Sequence, residues 1–535
     1  MAISASANPL AQKETASPAP TRHTGPSPWI SVLLTPFALL VHGYHPFAGD
    51  AGLYVAGLRH LLDPSLYPLN AGFITAFTRW SVFAWAMAAF IRVTRLPLPW
   101  ALFSAHLLSL WLFLAACRQL AMRFFKSASA RWCALLLAAA CCTLPAAGTA
   151  LVLMDPYVTA RSFSTPLGLL AIAACLDRRW LRATLLLALT AAFHPLMAVY
   201  TGALVALCAL IASRRLRIAL ALCAAAVAAC GAAFGLAYRL PVNPAYRQAV
   251  LLAPHSFLFL ARWRWYEDLG LALPLLFFVL ATRYLRPADP KRALCLTCLL
   301  LGATSVVLAA FFVPPAGPYL LVPLQVLRSF HLIYALGVVL AAGPIAALFA
   351  RSRASAALLF ALLFAGMFLA EPLTWTGVAR VEWPGARPGN PWQQAFLWIR
   401  DHTPRDAVFA FNPKLVYLPE EDEEGFRAIS LRDHLADDKD AGVAAVFPAL
   451  ASRWATQRNP ELSVDSMYDA DRHTVLRPLG ATWLLLPPTA PTTFPCPFRN
   501  SVAQVCRIAR AVSPLIPQKA KAQGINPEPS VLATR

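Results

Sequence analysis

Acidic residues are scarce over most of this chain. Its 535 residues contain 26 Asp and Glu, but the first 370 hold only eight of them: Glu14, Asp50, Asp63, Asp155, Asp177, Glu267, Asp268 and Asp289. Only 13% of the chain is charged, whereas soluble domains contain about 25% charged residues. Runs such as IALALCAAAVAACGAAFGLA are about 20 residues long, enough to span a bilayer as a helix. The sequence therefore predicts a polytopic α-helical membrane protein, in which an acid at the membrane boundary is a candidate site residue.

Other missing patterns exclude several classes of protein. The chain has no Ser-His-Asp arrangement, no P-loop, no GxGxxG and no HExxH motif. Its net charge of +20 comes without a basic stripe interleaved with aromatic residues, so we predict no nucleic-acid partner. Ten of the 12 cysteines fall in or beside apolar runs, where Cys behaves as a small hydrophobic residue. We therefore predict no metal site built on these cysteines.

Basic clusters between the apolar runs indicate the topology, because Lys and Arg favour the cytoplasmic side. All of these clusters fall inside if the segment 73–91, which carries Arg79, does not cross. We therefore interpret 73–91 as an amphipathic or re-entrant segment on the outer side. This predicts 11 spans with the N-terminus inside and the C-terminus outside, near residues 29–43, 99–117, 131–150, 158–176, 183–194, 195–212, 217–237, 269–285, 293–313, 320–345 and 354–370.

Two of these spans are short and meet at His194-Pro195. Proline disfavours a helical residue before it and interrupts the backbone hydrogen bonds. The flanking arginines favour a helical hairpin with its tip outward, and a single kinked helix is the alternative.

The predicted organisation has four parts. Residues 1–28 form a disordered cytoplasmic tail, and 29–370 form the multi-pass domain with an outer loop at 44–98. Residues 371–513 form a small extracytoplasmic α/β domain, because NPWQQAFLWIRDHTPRDAVFAF reads as a helix, a turn and a strand, and ATWLLLPP as a second strand. The tail 514–535 is predicted to be disordered. In the predicted hairpin of this domain, Cys496 and Cys506 either form a disulfide or stay unpaired.

The predicted topology places five acids on the outer side: Asp50, Asp63, Asp155, Glu267 and Asp268. Asp50 and Asp155 are the candidate catalytic residues, because two carboxylates at one membrane face suit general-base work or metal-assisted transfer from a phosphate-linked donor. Asp50 could instead cap the helix that follows it. The Asp155-Pro156 and Asp63-Pro64 pairs are also typical of turns.

Basic residues on the same side are candidates for binding a substrate phosphate, because Arg offers a planar fork of donors. Arg161 and Arg328 are the first choices, and Gln325, Arg328 and His331 fall at helical spacings of three. Arg264 and Glu267, in ARWRWYEDLG, could bind a lipid headgroup or a sugar. An interfacial belt of aromatic residues with snorkelling arginines is the alternative. His194 is a further candidate, unless it only satisfies the helix break.

The order of these features resembles that of the GT-C glycosyltransferases, which use polyprenyl-phosphate sugar donors. The resemblance rests on AGDAGLY directly after the first apolar run and on MDPYVTARSFSTP in the next outer loop. It implies a GT-C-like membrane fold, first-loop and second-loop acids at Asp50 and Asp155, and a lipid-linked sugar as substrate. The family often has two adjacent acids in the first loop, whereas this chain has Ala51 after Asp50.

The chain also resembles an uncharacterised bacterial family of multi-pass proteins, a domain of unknown function, through DPSLYP, YVTARSFSTPLGLLAI, FHP, LQVLRSF and FRAISLRDHLADDKD. In the last motif, Arg427 and Arg432 are predicted to bridge acids such as Asp440. Taken together, these features predict a glycosyltransferase that acts on the outer face of the bacterial inner membrane. Membrane lipid is a predicted partner. The cofactor is unknown, and a divalent cation is left open. The alternative is a non-catalytic transporter or scaffold, although the acids cluster at one rim rather than at mid-depth.

Overall fold

The computed structural model describes residues 25–287, 289–348, 350, 352–415 and 425–508. Most of the predicted tail 1–28, the end of the 371–513 domain and the whole of the tail 514–535 lie outside these ranges. The boundaries proposed for the domains therefore stay predictions.

Helices dominate the first part of the described chain. Up to residue 374 they are α1 (Pro28–His42), α2 (Ala51–Leu62), α3 (Ala71–Thr75), α4 (Phe83–Thr94), α5 (Leu98–Phe124), α6 (Ala128–Ala140), α7 (Ala160–Leu176), α8 (Trp180–Phe193), α9 (Pro195–Ala212), α10 (Leu216–Ala237), α11 (Pro244–Leu251), α12 (Trp265–Tyr284), α13 (Pro290–Phe312), α14 (Phe330–Leu348) and α15 (Arg353–Thr374). Each of the 11 predicted spans overlaps one of these helices, but α6 ends at Ala140, ten residues before the predicted end of its span, and α14 begins only at Phe330.

Seven helical segments in the described residues are long and apolar enough to cross a membrane. They are α5, α9, α10, α12, α13, α15 and the segment Val322–Leu348, which ends in α14. The remaining predicted spans, α1, α6, α7 and α8, are shorter apolar helices. The chain is thus a mostly helical protein of multi-pass membrane type, and the number of 11 spans stays a prediction.

The ambiguous segment 73–91 is broken into two pieces. Helix α3 ends at Thr75, and α4 begins only at Phe83. The 12 residues of α4 give a helix about 18 Å long, short of the roughly 30 Å hydrocarbon core. The predicted spans α6 and α8 are nearly as short, with 13 and 14 residues, so the non-crossing of 73–91 stays a prediction.

The break at His194 produces a hairpin, as predicted. His194 is extended, with ψ 95°, and Pro195 is the first residue of α9. Gly202 of α9 packs against α8, since a Cβ at Gly202 would lie 3.5 Å from Leu187 Cδ2. Ser81 Oγ donates to the Phe193 carbonyl at the hairpin tip. The alternative of one kinked helix is wrong.

Residues 391–507 contain a small α/β unit. Its helices are α16 (Pro391–His402), α17 (Gly425–Ser430), α18 (Asp438–Val446), α19 (Ala451–Glu461) and α20 (Asp469–Leu476), and its strands are β1 (Val408–Ala410), β2 (Asp433–His434), β3 (Trp483–Leu486), β4 (Phe498–Arg499) and β5 (Gln504–Arg507). The sheet order is β2-β1-β3-β5-β4, with β1 parallel to β2 and β3, and β5 antiparallel to β3 and β4. The predicted helix, both predicted strands and the hairpin at Asn500 are all present.

The α/β unit is attached to the loop that follows α1. Tyr44 N donates to the Arg380 carbonyl at 2.8 Å, and Glu382 N donates to the Tyr44 carbonyl at 3.0 Å. Asp433 accepts from the amides of Leu69 and Asn70. The predicted outer loop and the C-terminal unit therefore share one end of the helices. Asp177 lies at the opposite end, where α7 finishes, and pairs with Arg123.

Candidate functional site

Asp50 is held at this junction by two cations. Its Oδ2 lies 3.5 Å from Arg161 Nη1, and its Oδ1 lies 3.2 Å from Lys439 Nζ. It directly precedes α2, but its side chain makes no capping hydrogen bond, so the interpretation of Asp50 as a helix cap is wrong. The side chain stays 35% exposed, and a ligand can therefore reach a carboxylate whose position is fixed by ion pairs.

Asp155 lies behind Asp50 and shares its arginine. Arg161 donates to Asp155 Oδ2 through Nε at 3.1 Å and Nη2 at 2.8 Å. Asp155 is only 5% exposed. Arg161 stands in the first turn of α7, and the Thr159 amide donates to Ser162 Oγ at 3.0 Å at the start of this helix. Arg161 thus joins the two predicted catalytic acids into one cluster.

The surroundings shift the two carboxyl groups in opposite directions. Burial would raise the pKa of Asp50, but the charges of Lys439, Arg161 and Arg328 outweigh it and hold this pKa well below its usual range. Burial dominates at Asp155 and raises its pKa, although Arg161 opposes the shift. Asp50 therefore loses its proton at a lower pH than Asp155 does.

Gly49, directly before Asp50, allows the loop that carries Asp50 to pack against the loop that carries Asp155. Gly49 has φ +53°, and a Cβ there would lie 2.6 Å from Tyr157 Oη. A side chain at this position would push Tyr157, and with it the Asp155 loop, away from Asp50. The close approach of the two acidic loops therefore requires glycine.

Arg328 adds a third positive charge to this end of the molecule. It lies in a 3₁₀ turn before α14, and its Nε is buried with no hydrogen-bond partner among the described residues. Its guanidinium lies 5.4 Å from the centroid of the Phe257 ring. Gln325 adopts a left-handed φ of 45°, so the regular helical spacing predicted for Gln325, Arg328 and His331 is wrong, because α14 begins only at Phe330.

The other predicted binding residues have local partners. His194 Nδ1 accepts from the Met197 amide and caps α9. Glu267 Oε2 accepts from the Arg264 amide at 2.7 Å, and Arg264 Nη1 donates to Tyr266 Oη, on the exposed start of α12. His194 nevertheless lies within the electrostatic influence of Asp50, Arg161 and Arg328, whereas the contacts given for Arg264 and Glu267 are local. A role for the three residues in substrate binding stays a prediction. Asp63 accepts from Ser65 N and Oγ, as its predicted turn requires.

Lys439 is a residue of the candidate site that the sequence analysis did not predict. It stands on α18, within the DDKD motif, and is one of only two lysines between residues 371 and 508. A single lysine among three aspartates was the available signal, but nothing local pointed to Asp50 as its partner. Lys439 makes the α/β unit part of the site.

The donor set does not fit a divalent cation. Asp50 and Asp155 already share Arg161, and Asp50 is further paired with Lys439. Throughout the part of the chain that the structure describes, no three His, Cys, Asp or Glu side chains converge in a way that could hold a metal ion.

Comparisons with known proteins identify no family. No family model matches the chain, and no curated protein matches it. Among solved structures, the chain is similar to the Archaeoglobus fulgidus oligosaccharyltransferase tethered to an acceptor peptide, at 11% identity and a TM-score of 0.47, over 86% of this chain and 68% of that one. Because the similarity is this low, we infer nothing about activity from it.

Proposed function

We propose that this chain is a membrane glycosyltransferase that transfers a sugar from a polyprenyl-phosphate donor at the outer face of the bacterial inner membrane. The observation that carries the proposal is Asp50, an accessible carboxylate at the membrane boundary with three cationic side chains around it, Arg161, Arg328 and Lys439. Such a set combines a proton acceptor with a binding site for a phosphate.

The three cations match what the reaction must stabilise. The acceptor hydroxyl attacks the anomeric carbon, and the bond between that carbon and the phosphate oxygen breaks. The bonding electrons leave with polyprenyl phosphate, and the acceptor proton passes to Asp50. Arg328, whose Nε has no partner in the described residues, and Lys439 stabilise the negative charge that develops on the leaving group.

The low pKa of Asp50 fits a site that becomes active on donor binding. Without a ligand, Asp50 is a weak base because Lys439 and Arg161 stabilise its charge. A donor phosphate attracts the same cations, so their hold on Asp50 weakens and its pKa rises toward the working pH. The bound donor thus makes Asp50 a stronger base.

Two features support placing this site outside the cytoplasm. The basic clusters of the first 370 residues fall at the opposite ends of the predicted spans. In addition, Cys496 and Cys506 of the α/β unit form a disulfide bond, which persists in oxidising compartments. A phosphatase reporter that is active only outside the cytoplasm should work when fused after Arg510 and fail after Lys126. The reverse pattern would overturn the orientation.

The enzymatic test is the Asp50→Asn variant in membranes supplied with polyprenyl-phosphate sugars whose sugar is radiolabelled. Asn keeps the shape but removes the charge, and loss of a positioned base slows a reaction by about 10²–10⁴-fold. Asp63→Asn is the matched control, since Asp63 lies at the same end of the molecule in an exposed turn. Full activity of Asp50→Asn at normal protein level would refute the assignment. Absence of transfer by the wild type across hexose and pentose donors would favour the transporter or scaffold.

A further inference from the structure

A cavity lies near the candidate site, and none of the charged residues of that site lines it. Its volume is about 350 Å³, within the range of small-molecule sites. It is formed between the loop after α1, the connector 378–390 and α16. Arg59 stands nine residues after Asp50, about 13 Å further along α2, whereas Pro46 and Phe47 of the lining precede Asp50 by four and three residues.

The charge in this cavity is predominantly positive. Three arginines line it, Arg59, Arg387 and Arg400, and Glu382 is the single acid among the described lining residues. Arg400 is also paired with Asp401, its Nε lying 2.8 Å from Asp401 Oδ1. Glu382 already accepts from His45 Nδ1 at 3.0 Å and from Gln393 Nε2 at 2.9 Å. Arg59 Nε is buried and has no hydrogen-bond partner in the described ranges. A buried donor without a partner is costly, and an anion at this position would remove the cost.

The remaining lining is apolar and reaches the membrane boundary. Tyr44, Phe47 and Trp383 contribute rings, and Pro99 comes from the first turn of α5, a helix long enough to span. Trp383 packs on Phe103 of the same helix, with ring centroids 5.5 Å apart, and is 52% exposed. Exposed Trp is typical of the membrane–water interface.

We infer that this cavity binds an anionic amphiphile, with its phosphate or carboxylate on Arg59, Arg387 and Arg400 and its apolar part against Tyr44, Phe47 and Trp383. Positive charge alone would suit any anion. The apolar rings at the level of the bilayer favour a ligand that is held in the membrane. The inference is independent of the proposed transferase activity.

Binding of short-chain lipids to the purified full-length protein tests the inference. Dihexanoyl phosphatidic acid should be retained in native mass spectrometry, and dihexanoyl phosphatidylcholine and inorganic phosphate should bind at least about 10-fold more weakly. A charge-assisted hydrogen bond contributes about 1.5–3 kcal/mol. Arg59→Gln and Arg387→Gln should therefore each weaken phosphatidic acid binding about 10-fold or more, whereas Arg405→Gln, at a side chain 77% exposed on the same unit, should not.

The outcomes separate the parts of the inference. Equal binding of phosphatidylcholine would overturn the anionic specificity, and equal binding of inorganic phosphate would overturn the amphiphile. Unchanged binding in both arginine variants, at wild-type thermal stability, would overturn the site. Arg387 is exposed, so Arg387→Gln should fold even if Arg59→Gln does not.

Discussion

Two groups of carboxylates flank helix α18, and they differ in what surrounds them. On one side Asp50 and Asp155 meet Arg161 and Lys439 at the junction with the membrane helices. On the other side Asp433, Asp437, Asp440 and Glu461 lie inside the α/β unit, each at most 4% exposed. Arg427 holds two of them, with Nη1 and Nη2 at 3.0 and 2.9 Å from Asp440 and Nε at 3.4 Å from Asp433.

The difference in exposure indicates a structural role for the buried carboxylates and a chemical role for Asp50. The inner carboxylates are closed to ligands and are matched by arginines or backbone amides, so they fix the position of α18. Arg458, for example, pairs with Asp438 at 2.7 Å. The outer carboxylate Asp50 is accessible and receives Lys439 from the helix that the inner group holds. The buried network thus positions a residue of the candidate site.

Removal of Arg427 should have the largest effect. Arg427→Met leaves Asp440 and Asp433 buried without their cation, and breaking a buried pair in this way costs about 3–5 kcal/mol. Urea-dependent proteolysis of the α/β unit in the full-length protein measures the loss. Arg477→Met, at an exposed position of the same unit, is the control. Equal stability of the two variants would contradict a structural role for the inner group.

The disulfide should come next. The cysteines of the membrane part are free, whereas Cys496 and Cys506 are bonded to each other over a separation of ten residues. The double variant Cys496→Ser and Cys506→Ser removes this bond and should lower the free energy of unfolding of the α/β unit by about 2–3 kcal/mol. The same urea-dependent proteolysis measures the loss. The double Ser variant of Cys223 and Cys230, in the sparsely buried helix α10, should leave the α/β unit unchanged. If both double variants behave alike, the bond does not form in the cell.

A smaller effect is expected at the connection between the two regions. Gly43 has φ +81°, and a Cβ there would lie 2.8 Å from the Arg380 carbonyl and 3.0 Å from Glu371 Oε1. Gly43→Ala should therefore cost about 1–2 kcal/mol and loosen the loop that carries Asp50. Thermal unfolding of the purified protein gives the cost. Gly366→Ala in α15, where a Cβ meets nothing within 4 Å, should be neutral or stabilising.

The fourth effect depends on pH. Burial and the neighbouring Asp440 raise the pKa of Asp437 to about 7. Between about pH 4 and pH 7 the folded state therefore holds a proton that the unfolded state has lost. The free energy of unfolding should fall as pH rises through this window, by at most about 1.4 kcal/mol per pH unit.

The Asp437→Asn variant isolates this contribution. Asn keeps an oxygen that accepts from the amides of Lys439 and Asp440, as Asp437 does. The variant should show a flatter pH dependence and greater stability than the wild type above pH 7. Asp471→Asn, at an exposed position, should keep the wild-type slope. An Asp437→Asn profile that parallels the wild type would show that the group is not protonated in the fold.

Among the sequence predictions, those that rest on local pattern agree best with the structure. Hydrophobic runs mark the helices, Pro195 ends α8, and short β-rich segments become β1, β3 and β5. The predicted pairing of Arg427 with Asp440 is confirmed. The same prediction for Arg432 is wrong, because Arg432 donates to the carbonyls of Arg400 and Thr403 instead of to an acid. The arginines of FRAISLRDHLADDKD have several possible hydrogen-bond partners nearby, and the tertiary packing determines which partner each arginine contacts.

The sequence by itself determined that this is a helical membrane protein, and it predicted that five of the eight acids in the first 370 residues share one side, because hydrophobic length and charge placement act locally. Only the tertiary structure decided that Lys439 reaches Asp50, that Arg161 joins Asp50 to Asp155, and that three arginines surround a cavity. These contacts join segments far apart in the chain. Their geometry depends on how the α/β unit packs on the helices, which no periodicity within a segment encodes.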